Sequence, residues 1–207
     1  NSNCGHGSDH EPVMEDKEMD FPNITSITSI TNAGLTLVEL IITLAVVSIL
    51  IVSTIPGFQS FIESNRIRAS VNVFVTHLQL ARSEAVKRNR FVVLCPSSDG
   101  ASCITDYTQW ANGYIVFVDD DRNKRRESNE KLIKYYQGEA SRVAIFSSSN
   151  ARRVVAYYPS GMAWGLNTTI RFCAKVADTN NRAVIISNTG RPRVSKVMPD
   201  GSSISCS

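Results

Sequence analysis

The sequence predicts an α+β protein in which one long N-terminal helix packs on an antiparallel, β-rich head. Three observations predict it. An apolar run fills residues 35–55, a helical apolar stripe continues to about Asn89, and short β-branched and aromatic runs begin at Phe91. With 207 residues, 43% of them hydrophobic and 20% charged, the chain can bury a core and is neither disordered nor collagen-like.

The first 34 residues hold Lys17 against six acids, a net charge of −5, and read as a leader. The chain opens on Asn, and Met14 and Met19 are candidate starts of a shorter leader. Cys4, His6 and His10 lie there, but a fourth clear ligand is missing, so no metal site is assigned. Leu35–Ile55 reads LTLVELIITLAVVSILIVSTI, with Glu39 its sole charge. As a helix of about 1.5 Å per residue it is about 31 Å long, the thickness of a bilayer core, and it reads as a transmembrane helix. A carboxylate in such a helix is costly and points to function. A cut after Gly34 would leave a free ammonium on Leu35, and Glu39 of a neighbouring helix could pair with it, setting axial register between subunits.

Pro56-Gly57 predicts a kink, after which residues 56–90 continue as an amphipathic helix. Ile67, Val71, Phe74, Leu78, Ala81 and Ala85 form one stripe, predicted as the seam against a sheet, while Arg66, Arg82, Glu84, Lys87 and Arg88 take the opposite face. His77 lies beside the stripe, as a surface or half-buried histidine.

Residues 91–207 are predicted as a β-rich globular head. Runs at 91–94, 114–118, 131–136, 143–146, 154–158, 168–172 and 183–187 are punctuated by Gly, Asn, Ser and Asp at hairpin spacing. The stretch 66–207 carries 21 Lys/Arg against 11 Asp/Glu, or +10, and 35–65 carries −2, so the total of +3 conceals an acidic leader and a basic body. A basic body suits an anionic partner such as nucleic acid or lipid headgroups. Without the leader four cysteines remain, an even number that suits two disulfides in an oxidising compartment. Three pairings are open. Cys95–Cys103 would close a short loop beginning with turn-forming residues, and Cys173–Cys206 would then tie the C-terminus to the body.

Gly34-Leu35-Thr36-Leu37-Val38-Glu39-Leu40, then Leu44-Ala45-Val46-Val47 and Pro56, resemble the N-terminal signature of type IV prepilins and type II secretion pseudopilins. Leu80–Arg88, Val93-Leu94-Cys95-Pro96-Ser97, Cys103, Trp110 with Gly113–Asp119, and Ile186–Val194 resemble the GspH/FimT branch of minor pilins and pseudopilins. The resemblance spans Gly34 to Cys206. It implies a pilin-like fold, cleavage by prepilin peptidase after Gly34, N-methylation of Leu35, and Glu39 guiding entry into a filament. It further implies a single-pass inner-membrane protein with a periplasmic head, incorporated into a pilus or pseudopilus beside other pilins or pseudopilins.

Gly190-Arg191-Pro192-Arg193 is the most informative short run. In an extended chain residues i and i+2 project to one side, about 6.6 Å apart. Pro192 stiffens the presentation, and two guanidiniums held so suit neighbouring phosphates, with Lys196 a third contact. The resemblance adds that a GRxR near the C-terminus is linked to DNA capture in FimT-type pilins serving natural transformation. The competing readings are a turn with solvated arginines and, at the level of the whole chain, a structural pseudopilin of the type II secretion system with no DNA partner. Lys124-Arg125-Arg126, Arg152-Arg153 and Lys87–Arg90 could widen the basic footprint.

Asp119, Asp121, Asn123, Glu127 and Glu130 fall at positions 1, 3, 5, 9 and 12 of an EF-hand loop. Lys124 stands where that loop needs Gly, and Arg122, Arg125 and Arg126 would repel a cation, so a charged hairpin loop is the favoured reading and no metal is assigned. The signatures of P-loop NTPases, dinucleotide oxidoreductases, zincins and α/β-hydrolases are missing. His77 is the one imidazole outside the leader, no nucleophile–base pair stands out, and neither enzyme activity nor a cofactor is expected.

Overall fold

The computed structural model describes residues 34–206 apart from 139, 141–142 and 175–179, with the side chains of 52–57 outside the description. The predicted leader, with Cys4, His6 and His10, therefore lies outside the described residues except for Gly34. Helix α1 spans Leu37–Arg88. Thr36 caps its start, its Oγ1 accepting the Glu39 N–H at 3.2 Å, which satisfies a donor the first turn would leave open. The helix runs unbroken through Pro56-Gly57. At the other end Glu84 and Arg88 form an i,i+4 ion pair, and Asn89, at φ 52°, takes the left-handed conformation that ends a helix.

The chain divides into two units, Asn1–Val46 and Val47–Ser207. In the first, the described side chains of Leu35, Leu37, Ile41 and Leu44 are all more than half exposed. Among the described residues no helix is long and apolar enough to cross a membrane, and the predicted span includes 52–55, whose side chains are not described.

In the second unit, all six predicted stripe residues of α1, Ile67 to Ala85, are buried. They face two four-stranded antiparallel sheets. The first has the order β3-β2-β1-β5, from Leu132–Gln137, Gly113–Val118, Val92–Pro96 and Val155–Tyr157. The second has the order β4-β6-β7-β8, from Val143–Ser147, Thr168–Ala174, Arg182–Ile186 and Pro192–Ser195. Phe74 is the hub, its ring edge-on to Trp110, Tyr114 and Phe172 at 5.3–5.5 Å, so one helix position joins both sheets. Such pairs add about 0.5–1.5 kcal/mol beyond area burial.

Strands β1 and β2 are buried on both faces. One face meets α1. The other forms a second cluster of Phe91, Val93, Cys95, Ile115, Phe117, Val154 and Ala156, with Cys103, Tyr135, Tyr158 and Leu166 packed against it. Cys95–Cys103 bridges within that layer, and Cys173–Cys206 fastens the C-terminal residues to β6. His77 is half-buried, its Nδ1 2.8 Å from the Tyr114 hydroxyl, and burial together with Lys134 lowers its pKa.

Candidate nucleic-acid interface

Strand β8 is an edge strand, paired with β7 in the register Ile186↔Pro192, Ile185↔Arg193, Val184↔Val194, Ala183↔Ser195. Pro192 at its first position costs little there, because an edge strand tolerates a missing N–H. Arg193 and Lys196 are exposed, Arg193 on the strand and Lys196 just after it. Arg191 precedes the strand and is exposed too.

The turn before Arg191 is held from several sides. Gly190 N–H donates to Ser187 O at 2.9 Å, and the Ser187 and Thr189 hydroxyls lie 2.7 Å apart. Ala163 N–H donates to Asn188 O at 3.0 Å, tying the turn to the 158–166 loop. Gly190 sits at φ +76°. Its backbone lies so close to Gly161 that a Cβ would come within 2.2 Å of the Gly161 oxygen. That same oxygen accepts the Arg82 Nε–H at 2.9 Å. Gly190, Gly161 and Arg82 thus stack from the turn inward to α1, and only glycine fits the outermost place.

Arg82 is therefore not on the solvent face predicted for it. Its guanidinium reaches toward the sheets to bind a backbone carbonyl, and α1 presents Arg82 and Lys87 beside Arg191. Gln79, Arg82, Ser83, Val86, Lys87, Arg191 and Pro192 line an open groove of about 710 Å³. Arg193 does not line it; it extends the basic surface along the strand. Several other basic residues are engaged as local donors. Arg126 donates to Ala101 O and Glu130 O, Arg152 to Asn167, Arg153 to Asn150 O, and Arg90 pairs with Asp120. Of the clusters that could widen the footprint, Lys87 alone lines the groove with Arg191 among the described residues.

Sequence reasoning misses Trp164. It is 67% exposed on the loop that braces the turn, beside Tyr158, Pro159, Ser160 and Met162. An indole within a Gly- and Ser-bearing loop, too short to form its own core, is the signal that could have found it.

At the other end of the chain, Gly34 and Leu35 are exposed ahead of the helix, and a Cβ on Gly34 would meet nothing within 4 Å. Glu39 is exposed in the first turn of α1, where the positive end of the helix dipole favours a carboxylate.

The pilin-like protein PilA1 of Thermus thermophilus is 29% identical over 171 residues, covering 79% of this chain and 99% of its own length. The type IV minor pilin FimU of Pseudomonas aeruginosa PAO1 shares the fold in its P21 crystal form at a TM-score of 0.51 and 20% identity, over 65% of this chain and 92% of FimU. The P65 form of FimU gives a TM-score of 0.48 at 19% identity, over 62% of this chain and 91% of FimU. Residues 70–190 match the family described as type II transport protein GspH. A helix on antiparallel sheets is the fold that this chain shares with FimU, and the chain belongs to the GspH family of minor pilins and pseudopilins, which are structural, non-enzymatic proteins.

Proposed function

We propose that the chain is a FimT-like minor type IV pilin that enters a pilus and binds DNA without regard to sequence through Arg191, Arg193 and Lys196. In this reading prepilin peptidase cuts after Gly34, Leu35 is N-methylated, and residues 35–55 anchor the precursor in the inner membrane before assembly. Leu35, Leu37, Ile41 and Leu44 then find apolar partners in lipid or in neighbouring pilin helices. Glu39 pairs with the new ammonium of a neighbour.

The braced basic turn carries the DNA reading. Its glycine contacts hold Arg191 at the mouth of a groove that also offers Lys87, with Arg193 and Lys196 continuing along the open edge. Guanidinium and ammonium groups along an open edge suit phosphates, contacts that carry no sequence information. The test is duplex binding by the full chain in detergent. Binding at about 50 mM salt should weaken with a log–log slope of about −3, as three phosphate contacts release counterions, and Arg191→Ala with Arg193→Ala should remove about two units of that slope.

The match to a family described as type II transport protein favours a second reading, a structural pseudopilin whose partners are other pseudopilins. No duplex binding at low salt, or binding indifferent to the double substitution, would select it.

A further inference from the structure

The loop joining β2 to β3 brings three carboxylates together. Oxygens of Asp119, Asp121 and Glu130 all lie within 4.8 Å of one another. Asp119 and Glu130 are buried, at 1% and 3% exposure, while Asp121 faces solvent. Three carboxylates so close repel one another unless a cation lies between them or one of them holds a proton. Among the described residues no basic side chain forms an ion pair with any of the three; nearby Arg90 pairs with Asp120 instead, and Arg126 is engaged by carbonyls. One oxygen, Asp119 Oδ1, is buried with no hydrogen-bond partner. A buried carboxylate oxygen without a donor is costly, and it is a ligand atom in waiting.

The rest of the loop holds these oxygens in place. Lys124 N–H donates to Asp119 Oδ2 at 2.9 Å. Asp120 and Glu127 N–H groups donate to the two Glu130 oxygens at 2.9 and 3.0 Å. Each acceptor keeps a lone pair for a metal. One of the two sequence objections to a calcium loop, beside the arginines at 122, 125 and 126, is Lys124 in the place of a glycine. Lys124 stands at φ 62°, so the chain makes the sharp turn that position requires without the glycine.

We propose that Asp119, Asp121 and Glu130 bind one calcium ion. An all-oxygen donor set excludes a preference for soft metals. A loop of irregular backbone that offers carboxylates from well-separated positions suits the larger, geometrically tolerant Ca²⁺ better than octahedral Mg²⁺.

The full chain in detergent, stripped with EDTA, is titrated with CaCl2 by calorimetry and melted with and without it. One saturable ion per chain is expected, with Kd of about 10⁻⁵–10⁻³ M, and a melting temperature that rises with calcium. Asp121→Asn, at an exposed position, should weaken calcium at least about tenfold, while in EDTA it should melt no lower than the parent, because one of three mutually repelling charges is gone. Asp200→Asn, an exposed acid elsewhere, should leave the affinity unchanged. Absence of a saturable calcium heat, an affinity unmoved by Asp121→Asn, or magnesium binding at least as tightly would each overturn the assignment.

Discussion

Gly190 lies so close to Gly161 that a single added carbon on the first would come within 2.2 Å of the second's carbonyl oxygen. Gly190→Ala therefore meets both a left-handed backbone and an immovable main-chain atom. It should cost at least about 2 kcal/mol, lowering Tm by about 4–8 °C. Gly165→Ala, at φ +71° with nothing within 4 Å of its Cβ, isolates the backbone cost and should lose only about 1 kcal/mol. Thermal melts of the two variants side by side check the difference, and equal losses would remove the case for a steric brace.

Trp164 offers an exposed ring on the loop that braces the basic turn. Stacking of an unpaired base on it is worth about 1–3 kcal/mol. Trp164→Ala should weaken single-stranded DNA about 5- to 150-fold and leave duplex binding within about twofold, measured by fluorescence anisotropy on both forms.

The two disulfides constrain loops of different size, with sequence separations of 8 and 33. Loop-closure entropy gives about 2.5 kcal/mol for the shorter and about 3.7 kcal/mol for the longer. Replacing Cys173 and Cys206 by Ala should thus cost about 1 kcal/mol more than closure entropy assigns to Cys95–Cys103. Denaturant midpoints of that double variant against the parent check it.

Asp119 sets a pH dependence of the metal-free protein. Its folded pKa is raised to about 6 from an ordinary value near 3.8, so between those two values the native state holds more protons than the unfolded chain. Stability falls as pH rises through that window and is level above it. Asp121, Glu130 and the Lys124 and Arg122 main-chain donors are the groups that act on it. His77 works in the opposite sense, since its lowered pKa makes stability rise with pH below about 6.5. Asp119→Asn isolates the carboxylate: it should raise Tm at pH 7 in EDTA and shrink the difference at acid pH, where the native carboxyl is already protonated.

Much of the fold is legible in the sequence because it rests on periodicity. Ile67 to Ala85 keep the 3.6-residue spacing and all six are buried; the seven predicted runs from Phe91 to Ser187 each overlap an observed strand. The two cysteine bridges are among the three pairings left open. What escapes depends on long-range proximity. Strand β8 is only four residues long, opens with a proline and carries exposed Arg193 and Val194, so nothing alternates strongly enough to announce it. A helical wheel assigns Arg82 to solvent because it cannot know that the Gly161 carbonyl, 79 residues away, waits on that side. The same limit hides the company of Arg191, and composition alone does not reveal that Lys124 adopts a glycine-like conformation.

The proline that opens β8 has an effect on how copies of this protein can coexist. A fibre crowds its subunits at concentrations where any bare strand invites sideways fusion into a continuous sheet. Here the β8 edge is short, one of its four residues has no amide hydrogen to give, and an arginine stands on it. Two heads meeting β8 to β8 would repel before they could zip, which closes that edge to sideways fusion.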